Sequence, residues 1–284
     1  KAKDILLSQL KEQVLSDGAH FERSPMYHQI ILFRLLDTIN VVRNNVWKAN
    51  EFLPEFRKIA ASMLSWLNNI TFRNGQIPRL KDATYGIAPT TENLMEYAQL
   101  LEIEWKSRNS ILSDSGYRKM ENGMVELIVD VGEVSPSYQP GHAHADELNF
   151  VLNVDNKPFI VDVGVSTYEK NERRELERST ISHNCITLGK FNSSEVWGGF
   201  RVAKQAKVNV LLDSAFEIQA EHNGFKSRGL AVQRKFEFNE NSICIHDILS
   251  GSSSIIDHAV SVIHFHPDVL LEILGNDIFA DKMR

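Results

Sequence analysis

The sequence predicts an α+β multidomain protein, in which an incomplete (α/α) toroid of helical hairpins is followed by a large antiparallel β-sandwich. Apolar residues recur at helical spacing through residues 1–106. Short alternating runs rich in β-branched residues, separated by turn signals, fill residues 116–284. We therefore expect two domains with a linker at residues 107–115, where the composition changes.

Composition argues against a nucleic-acid-binding protein and against a transmembrane helix. With 284 residues and 43% hydrophobic content, the chain can bury a large core. A net charge of −6 gives no basic footprint for nucleic acid, and no apolar run is long enough to predict a transmembrane helix. Because residue 1 falls directly in a helical pattern without a Met or a signal segment, we expect the chain to be part of a longer protein, and we expect truncation at the other end too.

Four helices are expected in the first part. The first ends at Asp17-Gly18, and the second begins at Ser24, a good N-cap, with Pro25 as its first residue. The third and fourth are expected at residues 54–70 and about 92–105. A long polar loop at residues 74–82 lies between them and can carry function.

Tyr27 falls in the first turn of the second helix, near unpaired backbone N–H groups and the positive end of the helix dipole. That position favours a phenolate or a bound anion. Its neighbour His28 has apolar residues one turn away, so we expect a structural role for it.

Nine strands are expected in the second part, and their spacing with intervening turns is typical of an antiparallel sandwich. They are predicted at 124–131, 148–154, 159–163, 184–188, 202–212, 216–222, 231–238, 242–249 and 259–265.

Ligand-type side chains crowd into residues 140–150. If this segment is extended, His142, His144 and Asp146 share one face. Asp162 interrupts an apolar strand, where a buried carboxylate is costly without a cation or several donors. His183 opens another apolar run. This combination favours a metal site or a catalytic site.

Two other metal proteins share parts of this pattern. His144-Ala145-Asp146 with a distant histidine is typical of an iron oxygenase with two histidines and one carboxylate. However, His183 follows too soon for the usual barrel of that class, and a preceding helical domain is foreign to it. A cupin also shows alternating histidines followed by a glutamate, but Glu147 comes too early.

Four motifs occur in order along the chain and together resemble one known family. They are Asp17-Gly18-x-x-Phe21-Glu22-x-Ser24-Pro25-x-Tyr27-His28, His142-x-His144-x-Asp146-x-Leu148-x-Phe150, Asp162-x-Gly164-x-x-x-Tyr168 and Arg178-Ser179-Thr180-x-x-His183-Asn184. With them the chain resembles the heparinase II/III-like polysaccharide lyases, which join an α/α toroid to an antiparallel β-sandwich. In that family the active site lies in the cleft between the two domains.

The resemblance implies three catalytic positions. Tyr27 is expected to be the catalytic tyrosine, His142 the histidine that faces the substrate, and Tyr168 a second tyrosine in the cleft. Because Tyr27 lies at a helix N-terminus beside cationic or metal-held groups, we expect its phenolate to be accessible, so that it removes the C5 proton and returns it to O4. His142 would serve as base for the opposite C5 epimer.

Further site residues follow from the same motifs. The resemblance implies one structural zinc ion bound by His144, Asp162 and His183, which would orient His142. We also expect Glu22, Arg178 and Asn184 to contact substrate.

The implied activity is β-elimination on a glycan that contains uronic acid, so the expected partner is an acidic polysaccharide. The family's Asn-His pair, which neutralises the substrate carboxylate, precedes the tyrosine motif and would lie upstream of residue 1. Family resemblance also favours a periplasmic or secreted location. The alternatives are a non-catalytic protein for glycan binding or cell-surface polysaccharide assembly with the same fold, and the iron oxygenase. Asp146 has no expected role.

Overall fold

The computed structural model describes residues 2–107, 114–239, 242–274 and 277–282. Most of the predicted linker, residues 108–113, lies outside this described part. The first part of the chain forms four helices, namely α1 (Ala2–Gln13), α2 (Pro25–Arg43), α3 (Val46–Ile70) and α4 (Thr91–Leu100).

Helix α2 begins where the sequence predicts. The Ser24 hydroxyl accepts a hydrogen bond from the backbone N–H of Tyr27 at 3.4 Å and donates one to the Asp82 carbonyl oxygen at 2.8 Å. The first bond caps the helix, and the second ties its start to the loop after α3. Tyr27 is thereby fixed in the first turn of α2.

Two helix boundaries differ from the prediction. Helix α3 begins at Val46, eight residues before Pro54, which lies inside the helix and costs it a backbone hydrogen bond. The buried face that follows, including Phe56 and Leu64, packs into the helical core and offsets that loss. Helix α4 ends at Leu100 rather than near 105, because Glu102 takes a left-handed conformation with φ of 57°.

The second part of the chain is dominated by antiparallel strands. The first sheet has the order β1-β2-β3-β4, and its strands are β1 (Tyr117–Glu121), β2 (Val125–Asp130), β3 (Phe150–Val154) and β4 (Lys157–Ile160). The second has the order β11-β10-β9-β8, and its strands are β8 (Val208–Asp213), β9 (Glu217–His222), β10 (Ala231–Phe238) and β11 (Ile243–Ser250).

Shorter elements connect and flank these sheets. Three strand pairs are formed by β5 (Ile186–Leu188) with β12 (Ala259–Ser261), β6 (Val196–Trp197) with β7 (Arg201–Val202), and β13 (Val269–Leu274) with β14 (Asp277–Lys282). The remaining helices are α5 (Glu172–Glu177), α6 (Ser253–Ile256) and the 3-10 turns Thr180–Ser182 and Lys226–Arg228. The sequence predicted neither α5 nor β1.

The two four-stranded sheets share one hydrophobic core. Leu127 and Phe150 from the first sheet cluster with Ile218 and Phe236 from the second, and the rings of Phe150 and Phe236 meet edge to face at 5.6 Å. Helices followed by antiparallel sheets are therefore confirmed. The closed shapes of a toroid and a sandwich stay predictions.

A second cluster joins the helical part to the first sheet. Trp66 of α3 meets Tyr117 of β1 edge to face at 5.7 Å, and its indole N–H donates to the Ser115 hydroxyl at 2.9 Å. The Asp17 carboxylate accepts the backbone N–H of Ser115 at 2.8 Å. These contacts fix α3 and the segment after α1 against β1 and the residue pair before it.

The histidine-rich segment is not a strand. Residues 140–149 form a loop between β2 and β3, and β4 ends at Ile160, before Asp162. The prediction of one extended face shared by His142, His144 and Asp146 is therefore wrong. In the described residues, no helix has both the length and the apolar character needed to cross a membrane.

Candidate active site

Four ring side chains form a half-buried cluster where α2 meets the loops of the sheet part. We call Tyr27, His142, Tyr168 and Phe200 the aromatic cluster. The Tyr27 and His142 rings stack at 3.8 Å, the hydroxyls of Tyr27 and Tyr168 are hydrogen-bonded at 3.1 Å, and Tyr168 stacks with Phe200 at 6.3 Å. The structure thus brings together all three residues predicted to be catalytic.

Glu22 orients His142 within this cluster. Its Oε2 lies 2.6 Å from Nδ1 of His142, and the Glu22 carboxyl group is largely buried. A carboxylate can only accept, so Nδ1 carries the proton and donates it, which leaves Nε2 with the free lone pair. Glu22 therefore contacts the predicted histidine and fixes the orientation of its ring.

The pKa of Tyr27 shifts against the expectation from sequence. Burial raises this pKa above its ordinary value of 10.0, and the Asp82 and Glu22 carboxylates act in the same direction. The hydrogen bond between the hydroxyls of Tyr27 and Tyr168 and the charge of Arg174 oppose the rise without reversing it. Burial also raises the pKa of Tyr168. The raised pKa favours the neutral phenol of Tyr27, which can donate a proton, and runs against the expected accessible phenolate.

Behind the aromatic cluster lies a fully buried set of charged groups, centred on Asp82. The Arg174 guanidinium bonds both carboxylate oxygens of Asp82, with Nη2 to Oδ2 at 2.6 Å. Nε2 of His144 lies 2.8 Å from Oδ1 of the same carboxylate. Sequence reasoning missed both Asp82 and Arg174. Asp82 ends the polar loop singled out as functional, whereas nothing in the local pattern around Arg174 points to it.

Lys81 gives Asp146 a role. The buried Lys81 ammonium lies 2.8 Å from Asp130 Oδ2 and 3.0 Å from Asp146 Oδ1. Burial opposes the charge of Lys81, but the two carboxylates outweigh it and raise the pKa of the ammonium. Asp146 therefore ties the histidine loop to the helical part. It faces Lys81 instead of joining His144 in a set of ligands of the iron-oxygenase type.

The three predicted zinc ligands lie near one another. Nδ1 of His183 is 2.7 Å from Oδ2 of Asp162, and the rings of His183 and His144 are 5.1 Å apart. Asp162 also accepts from the Asn149 amide at 2.7 Å and the Gly164 N–H at 2.9 Å. Burial disfavours its charge, but His183 and these donors lower its pKa to about 2.

This group fits a metal ion in part. Nδ1 of His144 and Nε2 of His183 are buried and have no hydrogen-bond partner. Such orphaned ring nitrogens are the donors that zinc takes. However, within the described residues, no three or more His, Cys, Asp or Glu side chains are arranged to hold a metal. Asp162 supports His183 through Nδ1 and is not a third converging ligand.

Arg178 and Asn184 are placed away from any surface that a substrate could touch. The buried Arg178 guanidinium donates to the carbonyl oxygens of Ala143 at 2.8 Å and Arg201 at 3.3 Å. The Asn184 amide is buried too and donates to the carbonyl oxygens of Phe150 at 2.8 Å and Val161 at 3.0 Å. Both residues hold loops in place, which replaces the substrate contact expected of them.

Both parts of the chain match known families. Residues 1–105 match the family described as Heparinase II/III N-terminus, and residues 107–282 match Heparinase II/III-like, C-terminal. The chain belongs to the heparinase II/III family. The change from one matched family to the other falls at the start of the predicted linker.

Individual relatives of this heparinase II/III chain are distant. A heparin-sulfate lyase of Pedobacter heparinus is 26% identical over 217 residues, covering 66% of this chain and 31% of the relative. A solved Heparinase III gene product has a TM-score of 0.70 at 22% identity, and heparan sulfate lyase HepC from Pedobacter heparinus has 0.67 at 19%. Each structure covers 88% of this chain, which in turn covers 41% of each structure. The chain thus spans about a third of the curated relative and about four-tenths of the solved proteins.

Proposed function

We propose that the protein is a polysaccharide lyase that cleaves a uronic-acid-containing glycan by β-elimination. The observation that carries this proposal is the ordered contact of Glu22 with His142 and of His142 with Tyr27 in the half-buried aromatic cluster. A base with a fixed tautomer beside a neutral phenol supplies the two proton transfers that elimination needs. In this proposal the cleft lies between a toroid that includes residues 1–106 and a sandwich formed by residues 116–284.

Each proton has a proposed donor or acceptor. Nε2 of His142 takes the C5 proton of the uronate, the C4–O4 bond breaks, and a C4–C5 double bond forms. The Tyr27 hydroxyl protonates the leaving O4, and the resulting phenolate regains a proton from the His142 imidazolium. The raised pKa of Tyr27 supports the donor role, because a neutral phenol holds the proton that O4 must receive. Tyr168, hydrogen-bonded to Tyr27, holds the phenol in position.

The substrate carboxylate must be neutralised before its C5 proton becomes acidic. The Arg174 guanidinium lies 5.3 Å from the Tyr168 ring, but both carboxylate oxygens of Asp82 already occupy it. We therefore assign this task to the Asn-His pair that the family resemblance places upstream of residue 1. The intact protein is accordingly the form to assay.

Zinc, as implied by the resemblance, is proposed as a structural ion. His144 and His183 would hold it through their two orphaned ring nitrogens, and Asp162, hydrogen-bonded to Nδ1 of His183, is the third ligand that the resemblance implies. Bound there, a zinc ion supplies a crosslink between the histidine loop and the segment after α5. Metal analysis of the intact protein tests this. One equivalent of zinc that is lost in His183→Ala supports it, and iron with 2-oxoglutarate turnover would favour the oxygenase instead.

Heparan-type glycosaminoglycans are the proposed substrate class, because the matched relatives are named heparin-sulfate and heparan sulfate lyases. A periplasmic or secreted location is proposed on the same ground. The test is incubation of the intact protein with heparan sulfate, heparin and alginate while the ultraviolet absorbance of an unsaturated product is recorded. Absorbance from a uronate polymer supports a lyase. Glycan binding without absorbance from any polymer would leave a non-catalytic glycan-binding protein.

A further inference from the structure

A short hairpin extends from the aromatic cluster to the protein surface. Strands β6 and β7 pair Val196 with Val202 and Trp197 with Arg201, and Gly198, Gly199 and Phe200 close the turn. Phe200 is the member of the aromatic cluster that stacks on Tyr168. The hairpin therefore links the candidate active site to the adjoining protein surface.

The base of the hairpin is held by the histidine loop. The buried Glu147 carboxylate accepts hydrogen bonds from the hydroxyls of Ser193 and Ser194, which immediately precede β6. The Ser194 hydroxyl in turn accepts the backbone N–H of Ala206 at 2.8 Å, just after β7. Because these partners are buried, the base has little freedom to move relative to His142.

The tip is held as firmly. Nε of Arg174 donates to the Gly199 carbonyl oxygen at 3.0 Å, and its guanidinium lies 5.4 Å from the Phe200 ring and 5.3 Å from the Tyr168 ring. Gly199 is buried with φ of 77°, so a side chain there would strain the backbone and crowd Lys170. A hairpin fixed at both ends presents its outer face in one position.

That outer face carries an aromatic ring and cations. Trp197 is 49% exposed, and the guanidinium of the exposed Arg201 lies 4.9 Å from the centre of its ring. Lys170, also exposed, passes close to the tip at Gly199. An indole stacks on the apolar face of a sugar, and a guanidinium pairs with carboxylate or sulfate groups.

We propose that Trp197 and Arg201 form a subsite for a further residue of an acidic glycan, beside the residue that is cleaved. Trp197 stacks on the sugar ring, and Arg201 pairs with its carboxylate or sulfate. Trp197 lies three residues from Phe200, so their Cα atoms are at most about 11 Å apart. The subsite is thus within reach of one oligosaccharide that also occupies the aromatic cluster. The inference rests on the proposed function for its ligand class.

Binding without turnover tests the subsite separately from the lyase activity. The intact protein carrying Tyr27→Phe is titrated with a heparan sulfate hexasaccharide by calorimetry. Trp197→Ala and Arg201→Gln are each added to this background, and Phe216→Ala serves as the matched control because Phe216 is 72% exposed on the β8–β9 turn. We expect Trp197→Ala to weaken binding about tenfold, the loss typical of one stacked ring, and Phe216→Ala to leave it unchanged.

Fluorescence provides a readout that a purely structural role would not move. The hexasaccharide should change the tryptophan emission of the Tyr27→Phe protein, and this change should disappear in Trp197→Phe. Equal affinity of the Trp197→Ala and Phe216→Ala proteins would overturn the subsite, and so would absence of binding by the Tyr27→Phe protein. If the subsite binds but the parent protein yields no unsaturated product, the subsite stands and the lyase proposal fails. If product forms while Trp197→Ala binds normally, the lyase proposal stands and the subsite fails.

Discussion

The half-buried aromatic cluster and the charge network behind it, formed by the buried charged groups around Asp82 and Lys81, share the loop of residues 140–149, yet they are built on opposite principles. His142 stacks on Tyr27 and keeps Nε2 free, whereas His144, two residues later, is fully buried against Asp82. In the network nearly every charge has a partner within the protein, and Lys81 has two carboxylates. The comparison teaches that the network holds the shape of the site. The cluster keeps a free imidazole lone pair and a phenol hydroxyl available for proton transfer.

Removing the Lys81 charge should have the largest effect on stability, because it disrupts the network and leaves the aromatic cluster chemically intact. Lys81→Met leaves Asp130 and Asp146 buried without their cation, and we expect the free energy of unfolding to fall by about 3–5 kcal/mol. Urea denaturation measures this loss. Lys58→Met, an exposed lysine on α3, is the control and should stay within about 0.5 kcal/mol of the parent. A loss below about 1 kcal/mol for Lys81→Met would show that the triad does not stabilise the fold.

Tyr27→Phe should have the opposite effect, with a large loss of activity and little change in stability. It removes the proposed proton donor to O4, so kcat should fall by about 100-fold or more. The hydroxyl has one hydrogen-bond partner, Tyr168, so the free energy of unfolding should change by about 1 kcal/mol or less. Initial rates on heparan sulfate and urea curves on the same preparation measure both effects. Activity close to that of the parent would remove Tyr27 from the chemistry.

Glu22→Gln should have a smaller effect on rate. A glutamine side chain can also donate to Nδ1 of His142, so the ring no longer keeps Nε2 as the only acceptor. We expect kcat to fall about tenfold with KM little changed, because the imidazole itself remains in place. Glu104→Gln, on the exposed segment after α4, is the control. A change in KM alone would instead indicate that Glu22 contacts substrate.

The pH profile should show the smallest effect. The pKa of Tyr27 is raised above 10.0, so the phenol stays protonated through the neutral and mildly alkaline range. A proton donor is lost only above its pKa, so kcat/KM should not decline on the alkaline side until the pH exceeds 10.0. A rate that rises steadily as the pH approaches 10.0 would instead identify the phenolate as the base.

Local signals in the sequence were sufficient for part of this structure. Ser24 and Pro25 located the start of α2 because capping depends on neighbouring residues alone. Alternation located β10 at residues 231–238, since one face of that strand is buried along its whole length. Pro54 was misleading as a helix start, because packing of α3 into the helical core overrides a local preference.

The candidate site divides in the same way. Family motifs located Tyr27, His142 and Tyr168, but the charge network depends on partners that lie far apart in sequence. Arg174 and Asp82 are 92 residues apart, and no periodic pattern links them. Alternation predicts a strand at residues 142–146, but the same pattern occurs in loops whose side chains are held individually. In the folded chain Lys81, Asp82 and Glu22 each fix one member of this segment.

The central claim is that His142 and Tyr27 perform the two proton transfers of a uronate elimination. The most direct measurement is NMR of a heparan sulfate oligosaccharide incubated in D2O with the intact protein, with His142→Ala and with Tyr27→Phe. We predict an unsaturated product from the parent alone, deuterium at C5 without cleavage from Tyr27→Phe, and neither change from His142→Ala. Absence of unsaturated product from the parent, or cleavage by His142→Ala at the parent rate, would contradict the account.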